Sequence, residues 1–319
     1  MISSYQPFYI WPNKAFPFRH YFKSETLDIF FIENIVHNYE WLYAFKDKIN
    51  DKHFFFVLLG WYHDSYFVEQ YETIFTVLKL KKENFFFLYN SLKEQQLFEM
   101  YGFFGELINQ NCWLDENTIQ VIQSKKEYNA INIARKALWK RHHLASKVNK
   151  LALIAGGDNY NADATDTLPP HTFNNTKQLT PEEVYFKISQ SHCGLCLSQI
   201  EGACYSSSEY LLCGIPVVST VSKGGRDVWY NDYNSIICED TEQSVANAVE
   251  QFVGYTRDAN IIRNMHITQS LTYRKRFISI LQDLFKRKDI KVDAYTYFKQ
   301  HFFNKMRVSY TPDFNSIFE

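Results

Sequence analysis

Two glutamates, Glu201 and Glu209, lie eight positions apart in residues 201–218, which read EGACYSSSEYLLCGIPVV. A carboxylate has two oxygens, and these accept hydrogen bonds from paired hydroxyl groups such as those of a sugar or a ribose. With one glutamate in a loop and the other one turn into the next helix, a bridging ligand would be about 10 Å long, at roughly 1.5 Å per helical residue. That length suits a sugar joined through a diphosphate to a nucleoside.

The flanking residues predict a strand–loop–helix–strand unit that positions the two glutamates. Residues 194–198 form a short apolar run, which is typical of a buried parallel strand. Gly214 and Pro216 stop the helix, and residues 216–220 form the next strand. Such a unit points a helix N-terminus at the carboxyl edge of a sheet, where anionic ligands bind. Three consecutive serines are candidates for the helix N-cap and for phosphate binding: Ser206, Ser207 and Ser208.

The ordered set Glu-x7-Glu, Gly214-x-Pro216-Val217-Val218 and Gly224-Gly225 resembles the donor site of retaining glycosyltransferases of the GT4 type. The resemblance runs from about residue 128 to residue 277. It implies the GT-B fold, an α/β architecture of two Rossmann-like domains that face each other across a cleft, with C-terminal helices. It also implies transfer of a hexosyl or related group from a nucleotide-sugar donor to a glycan, lipid or protein acceptor.

The same resemblance assigns roles to individual residues. Glu209 would bind the donor ribose, and Glu201 would orient the donor sugar. Arg135 and Lys140 would bind the diphosphate, where fixed cations stabilise the charge that builds on the leaving group. Glycines allow the backbone to approach the sugar closely, and three are expected to do so: Gly202, Gly224 and Gly225.

Each of these residues also has a purely structural interpretation. Glu209 can lie on a helix surface near the positive end of the helix dipole, and Glu201 can cap the following helix. Arg135 and Lys140 can belong to a solvated helix start, because other basic residues nearby compete for the same role: Lys136, Arg141, His142 and His143.

The first half of the chain offers one candidate of its own. His63 follows a strand of apolar residues, so it is expected at a carboxyl strand edge, where it could face the acceptor. A histidine on its own more often has a structural role. No glycine-rich loop follows the first predicted strand, although many members of the resembling family have one there.

The length is ample for a large hydrophobic core and allows two domains. The chain has 319 residues, 46% of them hydrophobic and 18% aromatic. Alternating strands and helices continue through most of the sequence, and a polar break at residues 125–127 separates two series. We therefore expect an acceptor-side Rossmann-like domain over residues 1–126, a nucleotide-sugar-binding domain over 127–285 and a helical tail over 286–319.

The net charge and the motifs of the sequence limit the possible partners, cofactors and cellular compartment. The formal net charge is -1, which gives no general attraction to nucleic acid, so no stable nucleic-acid partner is expected. The N-terminal residues lack the plan of a signal peptide, and no apolar run reaches 18 residues. With six cysteines interpreted as buried free thiols, this indicates a cytoplasmic protein, and peripheral membrane contact stays open. No metal-ligand spacing and no ATP or dinucleotide motif is found, so we expect no metal and no cofactor beyond the donor substrate.

Two alternatives remain at this level. A non-catalytic nucleotide-sugar-binding or scaffold protein would explain the missing glycine-rich loop. A glycosyltransferase that modifies DNA would require a basic stripe on one face to overcome the near-neutral charge. The sequence identifies neither the sugar, nor the base, nor the acceptor, nor the oligomeric state.

Overall fold

A computed structural model describes residues 18–155 and 167–306. Its described residues form two compact units, one with the residues up to Trp113 and those from Thr272, the other comprising Leu114–Leu271. The units thus change near 113 and 271, whereas the sequence predicted domain boundaries near 126 and 285. The C-terminal helical residues belong with the first unit.

The first unit contains a five-stranded sheet in the order β1-β2-β3-β4-β5. Strand β1 is antiparallel to β2, and the other neighbours are parallel. The strands are β1 (Phe18–Lys23), β2 (Asp28–Glu33), β3 (His53–Leu58), β4 (Phe85–Tyr89) and β5 (Phe104–Leu107). Three helices connect them: α1 (Tyr39–Phe45), α2 (Ser65–Leu78) and α3 (Leu92–Met100).

Phenylalanines fill both faces of this sheet. On one face the rings of Phe30, Phe55 and Phe85 stack in sequence, with centroids 5.4 Å and 4.7 Å apart. On the other face Phe31 and Phe56 pack against Phe277 of α7 (Ala259–Arg287), at 5.8 Å and 4.9 Å. Strands buried on both faces lack the alternation of a half-exposed strand, which explains their continuous apolar runs.

One region of the first unit differs from the sequence prediction. Apolar residues at helical spacing predicted a helix over residues 25–48, but the structure has strand β2 followed by the short helix α1. The segment Asp28–Glu33 reads DIFFIE, and a short apolar run cannot be assigned to helix or strand by its period alone. Pairing with β1 and β3 decides in favour of the strand.

The second unit contains a six-stranded parallel sheet in the order β11-β10-β9-β6-β7-β8. The strands are β6 (Tyr128–Ile133), β7 (Leu151–Ile154), β8 (Phe173–Asn174), β9 (Ser191–Cys196), β10 (Val217–Thr220) and β11 (Ser235–Cys238). The chain runs outward from β6 to β8, then returns and runs outward the other way from β9 to β11. The order therefore reverses between β6 and β9, the position at which open α/β sheets bind ligands.

The second unit has helices where the sequence predicts them, after Thr180 and over residues 241–255 and 259–286. The helices are α4 (Pro181–Ser189), α5 (Tyr205–Leu212), α6 (Glu242–Gly254) and the first part of α7, and α8 (Ala294–Gln300) follows in the first unit. The predicted capping box of α4 is present, because Thr180 and Glu183 bond each other's backbone N–H groups. Residues 118–122, expected as a strand, lie in turns and irregular backbone. The helix predicted over residues 139–148 is replaced by two short 3-10 helices, separated by Arg141 at φ 52°.

Candidate functional site

The loops that follow β6 and β9 meet at the reversal of strand order. Lys140 lies in the 3-10 helix after β6, and Glu201 lies in the loop after β9, 61 positions later in the chain. The Lys140 Nζ atom contacts the Glu201 Oε1 atom, and the two side chains are 17% and 10% exposed. The structure thus joins two of the predicted site residues in a partly buried ion pair.

A glycine-containing loop supports the backbone of Glu201. The Glu201 amide donates to the Lys223 carbonyl at 3.0 Å, and the Gly225 amide donates to the Gly202 carbonyl at 2.9 Å. Gly224 has φ 129°, and a Cβ atom there would lie 1.9 Å from the Glu201 carbonyl oxygen. Only glycine fits this position without displacing the neighbouring loop. Gly202, Gly224 and Gly225 therefore fix the position of Glu201, and their contact with a donor sugar stays a prediction.

Arg226 lies beneath these loops and was not singled out by the sequence analysis. Its side chain is fully buried, and its N–H groups donate to neutral oxygens of strand β10 and of the loop after β9. Nη1 donates to the Ser198 carbonyl and hydroxyl at 2.9 Å and 2.7 Å, and Nη2 donates to the Thr220 carbonyl at 2.9 Å. The Asp227 carboxylate is 3.8 Å from Nε, so the positive charge is only weakly compensated. The sequence feature that could have identified Arg226 is its position directly after two glycines.

Helix α5 begins differently from the prediction. Cys204, at φ 59°, occupies the N-cap position, and no side chain caps the helix there. The predicted N-cap role of the three serines is therefore wrong, because all three lie in the first turn. Ser207 and Ser208 are fully buried, and the Ser207 hydroxyl lies 2.8 Å from the Tyr230 hydroxyl. Ser206 is half-buried and lies at the N-terminal end of α5.

Glu209 lies in the second turn of α5 and is half-buried. Burial raises the pKa of the Tyr185 phenol in α4, and the nearby negative charge of Glu209 raises it further. Tyr185 is therefore a neutral neighbour of this carboxylate near neutral pH. No sequence signal marks Tyr185, because the spacing within α4 gives no sign of what lies beside α5.

Arg135 is exposed after β6, with its guanidinium 4.9 Å from the centre of the Trp139 ring. Two of the other basic residues that could bind the diphosphate, Arg141 and His142, have partners within the protein. Arg141 bonds the Leu197 carbonyl, Asp240 and Thr220, each at 2.6 Å. The buried His142 donates from Nε2 to the Arg135 carbonyl at 3.1 Å. Arg141 and His142 are therefore less available to a ligand than the exposed Arg135.

His63 is buried in the first unit, and its side chain is 0% exposed. Nδ1 donates to the Trp61 carbonyl at 2.8 Å, while Nε2 lies 3.0 Å from the Tyr71 hydroxyl. The Glu94 carboxylate is 3.5 Å from Nδ1. With both ring nitrogens engaged and no exposed surface, His63 has the surroundings of a structural residue, and a contact with an acceptor would require these bonds to break.

Within residues 18–155 and 167–306, no group of three or more His, Cys, Asp or Glu side chains could hold a metal ion. The acidic residues at 158, 163 and 166, which showed no metal motif, lie outside the described residues. In the described part of the chain, no helix is long and apolar enough to cross a membrane.

Comparisons with known proteins agree on the fold. TarM has a TM-score of 0.55 and 13% identity, with 79% of this chain and 54% of that chain covered, so this chain spans about half of TarM. HepE from Anabaena in complex with UDP-glucose has a TM-score of 0.57 and 15% identity, covering 79% and 78%. A trehalose-6-phosphate synthase, studied for glycosyl transfer with retention, has a TM-score of 0.58 and 12% identity, covering 82% and 74%.

A comparison with curated protein sequences finds no significant match. A family model does match, over residues 116–264, and its description is Glycosyl transferases group 1. The match includes the whole second sheet, the Lys140–Glu201 pair and Glu209. The predicted fold class is therefore confirmed: the chain has the GT-B fold, and residues 116–264 match the glycosyl transferases group 1 family.

Proposed function

We propose that this protein is a retaining, metal-independent glycosyltransferase of the GT4 type, which moves a hexosyl or related group from a nucleotide sugar to a glycan, lipid or protein acceptor. The observation that supports this most strongly is the Lys140–Glu201 pair at the reversal of strand order in the second sheet. A carboxylate that can hold sugar hydroxyls and a cation that can hold a phosphate lie side by side there. We expect the protein to act in the cytoplasm.

In this proposal the donor lies along the carboxyl edge of the second sheet. Glu209 accepts hydrogen bonds from the two ribose hydroxyls, and Glu201 accepts them from the donor sugar. The diphosphate lies between them, near the first turn of α5. Backbone N–H groups at a helix N-terminus attract anions, and no side chain occupies the N-cap role of α5.

The cations supply the largest part of the rate enhancement. Negative charge builds on the diphosphate as the glycosidic bond breaks, so Lys140 and Arg135 stabilise the transition state more than the bound donor. An ammonium group has three N–H donors, which lets Lys140 hold Glu201 and a phosphate oxygen together. Retention follows if the acceptor attacks from the face that the diphosphate leaves, with a diphosphate oxygen accepting the acceptor's proton. His63 has no part in this scheme.

Two structural neighbours support the finer parts of the proposal. HepE was crystallised with UDP-glucose, which is a nucleotide sugar. The trehalose-6-phosphate synthase was studied for transfer with retention. Both share the fold with this chain at low identity, so the base, the sugar and the acceptor must be found by experiment.

A thermal-shift screen against UDP-, GDP-, ADP- and CMP-sugars tests the donor assignment. A ligand at 100 times its Kd adds about 2.7 kcal/mol to the stability of the folded state. We expect one class of nucleotide to raise Tm, and Glu209→Ala to remove that rise. The matched control is Glu250→Ala, an exposed glutamate of α6 whose carboxylate accepts from Asn129 at 3.3 Å. An unchanged shift in Glu209→Ala would contradict the ribose role.

Turnover then separates an enzyme from a binding protein. With the identified donor, release of free sugar or transfer to a test acceptor should continue in EDTA, and nuclear magnetic resonance should show the donor's anomeric configuration in the product. Inversion would contradict the mechanism, and loss of activity in EDTA would contradict metal independence. Saturable binding without turnover would favour the non-catalytic nucleotide-sugar-binding protein.

A further inference from the structure

A cavity of about 300 Å³ lies at the amino edge of the second sheet, the edge opposite to the candidate donor site. Its lining includes His192 at the start of β9, Pro216 directly before β10, Ser189 at the end of α4 and Phe252 in the last turn of α6. All of its lining residues belong to the second unit. This volume is at the lower end of the range for small-molecule sites, so the cavity can hold a small ligand.

Lys126 brings one positive charge to this cavity. Its Nζ atom donates to the backbone carbonyls of Ser189 and Ser191, each at 2.8 Å. These two bonds fix the ammonium at the cavity wall. Both acceptors are neutral, so they do not compensate the charge. An ammonium group has three N–H donors, so one donor is left for a ligand.

Arg257 brings a second positive charge, from the segment between α6 and α7. Its guanidinium carbon lies 4.5 Å from the centre of the Tyr255 ring and 5.4 Å from that of the Tyr233 ring. The Nε atom is buried, and none of the described residues accepts a hydrogen bond from it. A buried donor without an acceptor is destabilising, so an acceptor oxygen from a ligand would be favourable here.

The other titratable groups of the lining do not cancel these two charges. Asp258 lines the cavity, but its carboxylate accepts from the N–H groups of Asn260 and Ile261 at the start of α7, at 2.8 Å and 3.2 Å. This negative charge is therefore engaged by the positive end of the helix. Burial lowers the pKa of His192, so this side chain is neutral near neutral pH.

We propose that this cavity binds a small phosphomonoester, at a site separate from the one for the nucleotide sugar. A phosphomonoester carries a charge of about -1.5 to -2 near neutral pH, which matches the two cations better than the single charge of a carboxylate. Lysine and arginine both bind phosphate oxygens. The organic part of the ligand packs against the buried side chains of Ile215, Pro216 and Phe252.

Binding is tested on the purified full chain without any nucleotide sugar, because this proposal does not depend on sugar transfer. Glycerol 3-phosphate, ribose 5-phosphate and inorganic phosphate are titrated by calorimetry at constant ionic strength near neutral pH. Glycerol and glycerate are the uncharged and carboxylate controls. We expect saturable binding of a phosphomonoester and weaker binding of both controls. No saturation by any phosphate compound at millimolar concentrations would overturn the proposal, and equal binding of glycerate would contradict the choice of phosphate.

Two variants locate the bound phosphomonoester. Arg257→Gln and Lys126→Met should each weaken its binding at least about tenfold, as for the loss of one charged hydrogen-bond donor. The matched control is Lys125→Met, an exposed neighbour outside the cavity lining. Lys126 also holds two backbone carbonyls, so Arg257→Gln, which removes ring contacts instead, keeps the test valid if Lys126→Met folds poorly. Unchanged affinity in folded Arg257→Gln would overturn the proposal.

A footprint on the wild-type protein needs no variant. Phenylglyoxal modifies arginine side chains, and peptide mass spectrometry gives the rate at each position. The bound phosphomonoester should slow modification of Arg257. The exposed Arg135, whose guanidinium also lies against an aromatic ring, is the internal comparison at the donor edge. Protection of Arg135 alone would place the phosphate at the donor edge and overturn the proposal.

Discussion

The two sheets of this protein end very differently at their carboxyl edges. In the first unit, polar side chains follow the strands and donate to backbone carbonyls in the interior. Asn90 donates to the Leu59 carbonyl at 2.7 Å, Asn109 donates to the Asn90 carbonyl at 2.9 Å, and His63 bonds the Trp61 carbonyl. In the second unit, the corresponding edge has the exposed Arg135 and the Lys140–Glu201 pair. A closed network stabilises the fold, whereas an open edge leaves charged groups available to a ligand.

Topology explains this difference. The strands of the first sheet lie side by side in chain order, from β1 to β5. The second sheet reverses its order between β6 and β9, and the loops that follow these two strands meet through the Lys140–Glu201 pair. Open α/β sheets place their ligands at such a reversal of strand order. The same α/β plan therefore yields a structural edge in one unit and a candidate site in the other.

The largest expected effect concerns the open edge. Lys140→Met removes the cation at the proposed diphosphate position, and we expect kcat to fall about 10²–10³-fold, as for the loss of one preorganised donor. The control is Lys147→Met, an exposed lysine that donates to Gln243 at 3.3 Å. Initial rates with the donor found by thermal shift, together with Tm, provide the measurement. A wild-type kcat in Lys140→Met would contradict the catalytic role proposed for the carboxyl edge of the second sheet.

The closed edge should respond in stability instead. His63→Ala leaves the Trp61 carbonyl without its donor and opens a cavity, so we expect a loss of about 2–3 kcal/mol in the free energy of unfolding. Urea unfolding measures this loss, and His143→Ala, at an exposed position, should change little. The folded fraction of His63→Ala should retain wild-type kcat. A large loss of kcat at unchanged stability would indicate that His63 has a catalytic role.

Two Gly→Ala substitutions, one in each unit, form a matched pair with smaller expected effects on stability. Gly224→Ala should cost about 1–3 kcal/mol, because its φ of 129° and the Glu201 carbonyl leave no room for a Cβ atom. Gly60→Ala should be neutral or slightly stabilising, since nothing lies within 4 Å of a Cβ atom at that position. Thermal unfolding compares the two variants, and equal Tm values would contradict the packing of the Gly224 loop.

The smallest effect concerns a feature that both units share. Burial lowers the pKa of His53 in the first unit and of His192 in the second below 6.5. The unfolded chain therefore takes up these protons first as pH falls, so their contribution to stability is present above about pH 6.5 and is lost below it. The slope is at most about 1.4 kcal/mol per pH unit for each histidine. Urea unfolding at pH 7.5 and 5.5 should show a smaller difference in His53→Gln and His192→Gln, and an unchanged difference would contradict these shifts.

Much of the second unit could be predicted from local sequence. Strand β11 at residues 235–238 and the capping box of α4 depend on residues that are close together in the chain. The Glu-x7-Glu spacing and the paired glycines also identified the segment that matches the glycosyl transferases group 1 family. The prediction failed where apolar runs were ambiguous, as in β2, and where a residue with positive φ broke a helix, as at Arg141.

The sequence by itself determined the alternation of strands and helices and the residue types at the candidate site, because periodicity, capping and turn chemistry act over a few positions. Only the tertiary structure decided which of these residues meet. Lys140 and Glu201 are 61 positions apart and come together because β6 and β9 are neighbours in the sheet. The burial of Arg226 likewise depends on loops packed by that strand order. Pairing between distant strands sets these contacts, and no spacing in the chain encodes them.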